Sequence, residues 1–242
     1  MNRAIEISAQ GMQALALRQE VISNNLANAD TAGFKSDILC FKAFPSVFSK
    51  AIGETKAGVS IDSVASRFKQ GALINTGDKF DLALEGAGFF AVQTPDGTKY
   101  TRSGDFVLDD NGRLCSQQGF AVLGEGGAIN ILGQDVEINS IGEIIVDGAL
   151  VNKVKVVDFA NPNALKKYGN CLFEPVDENV SVQPASADTK VVSGFVESSG
   201  VNMMQEMVQM LETLRTYQTL SRVVLAQDEV QNKTVNQVGK AR

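Results

Sequence analysis

A chain of 242 residues with a formal charge of −6, 44% hydrophobic and 21% charged side chains has the size and balance for a sizeable core without disulfides or structural metal. It contains no histidine and no tryptophan, which excludes Ser-His-Asp and Cys-His nucleophile pairs, histidine-bound zinc and histidine-held haem. Its 22 Lys and Arg residues are outnumbered by 28 acids and spread along the chain. That is opposite in sign and distribution to a groove tracking a nucleic-acid backbone, so no nucleic-acid partner is expected.

In chain order, Met1 to Glu20 carries Glu6, Gln10, Gln13, Arg18 and Gln19 where a secretory signal would hold an unbroken apolar core, so no cleaved leader is expected. From Asn2 to about Ala29, Ile5, Ala9, Met12, Ala16, Ile22 and Leu26 recur at helical spacing, with Leu15 widening the stripe. Gly11 weakens this helix by about 1 kcal/mol relative to Ala but permits the close approach of a neighbour. The asparagines Asn24, Asn25 and Asn28, then Gly33, read as a helix stop, because Asn and Gly tolerate the left-handed conformation there.

Ser36 to Lys69 and Asp177 to Lys190 show neither helical nor strand periodicity and are expected to run as connectors. Between them, 14 of the 22 glycines fall from Gly71 to Gly148 and punctuate short β-rich runs. Phe89 to Thr94 and Thr98 to Arg102 flank Pro95-Asp96-Gly97, and Phe106 to Leu108 and Arg113 to Cys115 flank Asp109-Asp110-Asn111-Gly112; both predict hairpins. Runs at 120–123, 128–132, 136–138, 143–146, 154–159 and 171–173 continue the pattern.

At the far end Met203, Met207, Met210, Leu214, Tyr217, Ser221, Val224, Asp228, Gln231, Val235 and Val238 follow an unbroken 4-3 step, the seam of a coiled coil. Met204, Val208, Leu211 and Leu225 add a second stripe, so this helix has more apolar surface than one partner helix covers. The expected fold is α+β: long N- and C-terminal helices packing as a coiled-coil stalk, with a central β-rich head. The expected divisions are an N-terminal assembly helix at 1–35, a connector at 36–79, the head at 80–176, a second connector at 177–200 and a C-terminal assembly helix at 201–242.

The chemical motifs are weak. Gly86-Ala87-Gly88 and Gly124-Glu125-Gly126-Gly127 are followed by neither a helical pattern nor Lys-Ser/Thr, and read as β-turns rather than phosphate loops. Asp109-Asp110-Asn111-Gly112 lacks the spacing and distal glutamate of a calcium loop. Paired carboxylates in a sugar-binding cleft would want aromatic walls, and the chain has 3 Tyr and no Trp. Cys40, Cys115 and Cys171 are too far apart for a metal or redox motif and read as small buried hydrophobes, with one bridge left open, and Lys166-Lys167 reads as solvated surface. No catalytic residue, cofactor, metal or small-molecule substrate is expected.

One string exceeds what capping calls for. Asn24, Asn25, Ala27, Asn28, Thr31, Gly33, Phe34 and Lys35 form the pattern N-N-x-A-N-x-x-T-x-G-F-K, which resembles the N-terminal signature of the flagellar basal-body rod and hook protein family. Further resemblances run from Gln70 through Phe89-Phe90 to Phe106, and from Gly194 to Leu211, where Ser199, Val201, Asn202, Glu206, Val208 and Met210 follow S-x-V-N-x-x-x-E-x-V-x-M. The resemblance implies a non-enzymatic axial subunit exported through the flagellar type III apparatus without a cleaved signal and assembled in the periplasm, partnered by other rod and hook-family subunits. Val122 to Ile129 resembles the G-E-G-G-x-I turn of the proximal-rod member, with the distal-rod member as the alternative. A β-rich binding module with a private coiled coil is the reading from another class. The expected assembly contacts are Asn24, Asn25, Leu26, Asn28, Gly33 and Phe34 at the helix exit, and Met207, Met210, Leu211, Leu214 and Tyr217 on the seam.

Overall fold

A computed structural model of the chain describes residues 3–43, 59–169, 171–177, 180–186 and 188–240. It has an N-terminal helix, a β-rich central domain and a C-terminal helix, divided into two compact units. The first unit holds α1 (Arg3–Ala27), α2 (Met203–Lys240) and the paired strands β1 (Asp37–Ala43) and β2 (Val59–Ser66). The second is formed by residues 28–36 and 66–201.

The helix bounds follow from local chemistry. Asn202 caps α2: its Oδ1 accepts the Gln205 amide at 3.1 Å, its carbonyl accepts the Glu206 amide, and acidic Glu206 lies in the first turn. The helices pack on one another, and a Cβ placed on Gly11 would stand 3.3 Å from Leu220 Cδ1, the close approach its glycine foretells. By the 3–4 spacing of a helix surface, Thr213, Val224 and Gln227 share the Leu220 side of α2. The expected heptad seam is divided between the two sides: Met210, Ser221 and Val224 are half-buried, whereas Met203, Met207 and Leu214 lie about a third of a turn from Leu220 and, with Tyr217 at the edge, are exposed. The side chains of Gln231, Val235 and Val238 lie outside the described residues, as does 44–58 of the expected connector.

The second unit is built on an antiparallel sheet in the order β15 (Leu165–Gly169), β16 (Leu172–Pro175), β6 (Gly97–Thr101), β5 (Phe89–Thr94), β9 (Ala121–Gly124), β8 (Leu114–Ser116) and β7 (Phe106–Leu108). Both expected hairpins form, with Thr94 opposite Gly97 and Leu108 opposite Leu114. Strand β5 is buried on both faces. Period-two alternation sends Phe90 and Val92 into a core with Phe106, Leu114, Val122, Ile129 and Ile144, and Phe89 and Ala91 into an aromatic core with Tyr100, Phe159 and Phe173. Phe68 closes the second core through edge and tilted contacts to Phe89 and Phe173, with ring centroids 5.6 and 5.1 Å apart.

The segments read as connectors contain strands. β3 (Leu73–Asn75) pairs with β19 (Phe195–Glu197), β4 (Leu82–Glu85) with β18 (Lys190–Ser193), and β14 (Val156–Phe159) with β17 (Val182–Pro184). The strands of these three pairs are three or four residues long, too short to print an alternating pattern. β1 and β2, seven and eight residues long, also lie in the first connector, and in β1 the consecutive apolar residues Ile38 to Phe41 hide the alternation. A separate sheet of β11 (Val136–Ile138), β12 (Glu143–Val146) and β13 (Ala149–Lys153) completes the unit.

Candidate functional site

Two features stand out, one in each unit. On α2 the exposed apolar side chains gather on one broad face: Met203, Met204, Met207, Val208, Leu211, Leu214, Tyr217 and Leu225 are all at least 41% accessible. Met210, at the margin, is half-buried. Of the residues expected to make assembly contacts, Met207, Leu211, Leu214 and Tyr217 therefore share an exposed face among the described residues.

The signature string divides into parts with different roles. Asn25 is 2% exposed and holds the backbone of Asp37 at the start of β1 in a reciprocal pair: its Nδ2 donates to the Asp37 carbonyl at 2.9 Å and its Oδ1 accepts the Asp37 amide at 2.8 Å. Asn24 is exposed and Leu26 half-buried. In the second unit the Asn28 carbonyl accepts the Thr31 amide at 3.2 Å, and the Thr31 hydroxyl reaches Asn28 Oδ1 at 3.3 Å. Helix α1 ends at Ala27 with none of the asparagines at positive φ, so the expected left-handed stop is not how it terminates. Gly33, at φ +66°, answers another need: a Cβ there would collide with the backbone of Arg102 and Ser103.

Phe34 and Lys35 enter the second unit behind Gly33. The Gly33 amide donates to the Glu197 carbonyl at 2.7 Å, and the Gly200 amide to the Phe34 carbonyl at 2.8 Å. Phe34 is buried, and Lys167 Nζ sits 4.0 Å from its ring centroid while donating to the Lys35 carbonyl at 2.6 Å. Lys167 is thus a clamp, a correction to its reading as solvated surface: its long stem lets the charge reach back over the segment. Asn25, Gly33 and Phe34 are enclosed by their own chain.

At the centre lies a buried ion pair that sequence reasoning missed. Lys35 Nζ is 2.6 Å from Glu197 Oε1, with both side chains 1% exposed. Lys35 Nζ also donates to the Lys69 carbonyl at 2.8 Å, the Gly71 amide donates to Glu197 Oε1 at 2.7 Å, and Arg102 Nη1 lies 3.5 Å from Glu197 Oε2. Burial holds the Lys35 ammonium below its ordinary pKa, a pull opposed by the Glu197 charge and hydrogen bond; burial lowers Arg102 likewise, against Glu197 and Asp158. A charged residue reads as surface in sequence, and the one available signal was Lys35 standing at the end of the string.

The weaker motifs are structural. Gly86–Gly88 links β4 to β5. Asp109 closes its hairpin by accepting the amides of Asn111 and Arg113 and pairing with the Arg113 side chain; the Arg113 amide is the main reason its carboxyl stays below the usual range. All three cysteines are free thiols; Cys115 is buried and the other two half-buried. Among the described residues, no three of Cys, Asp or Glu gather as a metal group, and no helix is long and apolar enough to cross a membrane.

Three family models match the chain in order: "Flagella basal body rod protein" at residues 5–35, "Flagellar hook protein FlgE/F/G D1 domain" at 83–146 and "Flagellar basal body rod FlgEFG protein C-terminal" at 192–238. The chain is 33% identical to the flagellar basal-body rod protein FlgG of Bacillus subtilis over 264 residues, covering 98% of this chain and 99% of that one. It is 29% identical to FlgF of Caulobacter vibrioides over 245 residues, with 99% of both chains covered, and 28% identical to FlgF of Rhizobium meliloti over 249 residues, with 100% of both. The signature that clamps Phe34 and Lys35 and the helix that carries the open apolar face fall in the first and third of these matches. The chain belongs to the flagellar basal-body rod and hook protein family, and it is a structural component of the basal-body rod rather than an enzyme.

Proposed function

We propose that the chain is a proximal-rod subunit whose terminal helices pack as a coiled-coil stalk and polymerise with those of neighbouring subunits into the axial drive shaft. The open apolar face of α2 carries this reading, because α1 occupies the Leu220 side and leaves the Met207, Leu211, Leu214 and Tyr217 side for another chain. Contacts repeated head to tail that do not close give an open helical filament. The partners are other rod and hook-family subunits. The subunit reaches the periplasm through the flagellar type III export apparatus without a cleaved signal. Asn24, Leu26 and Asn28 join the seam residues as subunit contacts, whereas Asn25, Gly33 and Phe34 act by setting the path of the chain.

The proximal assignment is supported by the G-E-G-G-x-I turn at Gly124–Ile129 and by length. The FlgF relatives align over 245 and 249 residues, close to the 242 of this chain, whereas the FlgG alignment extends to 264. The distal-rod protein is the alternative, favoured by the higher 33% identity to that FlgG relative. The deciding test is Leu214→Asp, which places a charge on the open face. Loss of the variant from isolated basal bodies, with the β-rich unit still unfolding at the wild-type urea midpoint, is the expected result. Normal incorporation would overturn the reading, and a stable helical oligomer of the purified chain would favour a binding module with its own coiled coil.

A further inference from the structure

Four of the six methionines lie within Met203–Met210, and three of them belong to the open face: Met204 is 74% accessible, Met207 42% and Met203 41%. Met12 and Met210 are half-buried. The first two turns of the face are thus lined by thioethers, and the Leu214 to Leu225 part by carbon side chains and a phenol. A thioether is as apolar as leucine until it is oxidised; the sulfoxide is polar and chiral. We propose that Met203, Met204 and Met207 form an oxidation site that switches the assembly face of the free subunit off. The inference rests on the reading of that face given above.

The chemistry is a two-electron transfer to a hydroperoxide. The methionine sulfur attacks the distal oxygen of hydrogen peroxide, the O–O bond breaks, the sulfur keeps one oxygen as the sulfoxide, and the other leaves as water. Methionine sulfoxide reductases return the thioether. Accessibility decides which sulfur reacts, so Met204 leads, Met203 and Met207 follow, and Met12 and Met210 lag. A face carrying three sulfoxides must desolvate three strong dipoles on docking, which opposes apolar contact. Once a neighbour covers the face the sulfurs are shielded, so the switch acts on subunits not yet assembled.

The experiment has two arms. Purified full-length chain is titrated with hydrogen peroxide and mapped by peptide mass spectrometry: oxygen is expected first on Met204, then on Met203 and Met207, several times faster than on Met12 and Met210. Equal rates at all sites would overturn the site. In peroxide-treated cells, chain from isolated basal bodies is expected to be depleted of sulfoxide at these three residues relative to unassembled chain, and Met203→Leu/Met204→Leu/Met207→Leu to incorporate equally with and without peroxide. Equal sulfoxide in both pools would overturn the switch. Met204→Gln supplies a polar side chain without oxidant and is expected to lower incorporation; wild-type incorporation counts against the switch. If Leu214→Asp is excluded from rods while oxidised chain enters them, only the methionine switch fails; if Leu214→Asp enters, the assembly face itself fails.

Discussion

Lys35 and Glu197 are 162 residues apart in sequence and 2.6 Å apart in the fold, each almost wholly removed from water. Taking both charges out of solvent costs several kcal/mol, and their attraction offsets this only with the further hydrogen bonds from Gly71 and to Lys69 in place. Lys35→Met leaves Glu197 facing Arg102 alone, so a loss of about 3–5 kcal/mol is expected from urea unfolding. Glu197→Gln should cost a similar amount, and the double variant less than the sum, since each single change strands a charge that the second removes. Additive losses would show that the pair is not coupled. Gly33→Ala places a side chain at φ +66° against the Ser103 backbone and should destabilise by about 1–3 kcal/mol by the same measurement. Burial pushes the Cys171 thiol up to about 11 from 9.0. Alkylation of Cys171 should therefore be slow at neutral pH and reach half its limiting rate near pH 11. Between pH 9 and 11 only the unfolded chain readily sheds this proton, so the thiol's contribution to stability falls as pH rises.

The long helices were legible because length reveals period: α1 and α2 were expected at 2–29 and 203–238 and run 3–27 and 203–240. The two tight hairpins were legible from their turn residues, since Pro95-Asp96 and Asp109 to Gly112 state where the chain reverses. Strands β3, β17, β18 and β19 were not, because a three- or four-residue strand gets its identity from a partner more than a hundred residues away or across a short bridge, and that pairing leaves no local trace. Of the expected contact residues, the exposure of Met207, Leu211, Leu214 and Tyr217 was legible and the enclosure of Asn25, Gly33 and Phe34 was not. Leu214 and Tyr217 were expected on an interacting seam, but the side of α2 that α1 takes was not readable, because Thr213 and Gln227 do not look apolar. Gly11 offers a test of the helix pair. Gly11→Ala gains about 1 kcal/mol of helix propensity and asks only that the end of Leu220 shift, so amide-exchange protection in α1 should rise or hold. Gly11→Leu overfills the contact and should lower protection in both helices; unchanged exchange would show that the close approach is not needed.

Across the whole molecule, apolar surface is distributed unevenly. The β-rich unit buries Phe90, Val92 and Leu114 in one core and Phe89, Phe159 and Phe173 in the other, while α2 leaves its broadest apolar face open. Stability should follow the same division. Hydrogen exchange on the purified chain is expected to be faster over α1 and α2 than in β5, β6 and β9, since helices that leave a broad apolar face in water open more readily than strands inside two cores. Uniform protection would mean that the helix pair is as stable alone as the β-rich unit and needs no neighbour.

The bonds around Glu197 also define a load path. Tension applied through residues 28 and 201 meets the amide contacts of Gly33 with Glu197 and of Gly200 with Phe34, and then the buried ion pair and the Lys167 clamp from edge strand β15, before it reaches the central strands of the main sheet. If the subunit is held in the rod through its terminal helices, as proposed, load enters the β-rich unit through these two segments, and they are fastened to each other at the threshold of the sheet. The β-rich unit is thereby sheltered from the strain that its own termini transmit, and a subunit without that fastening would be expected to yield under torque well before it failed in urea.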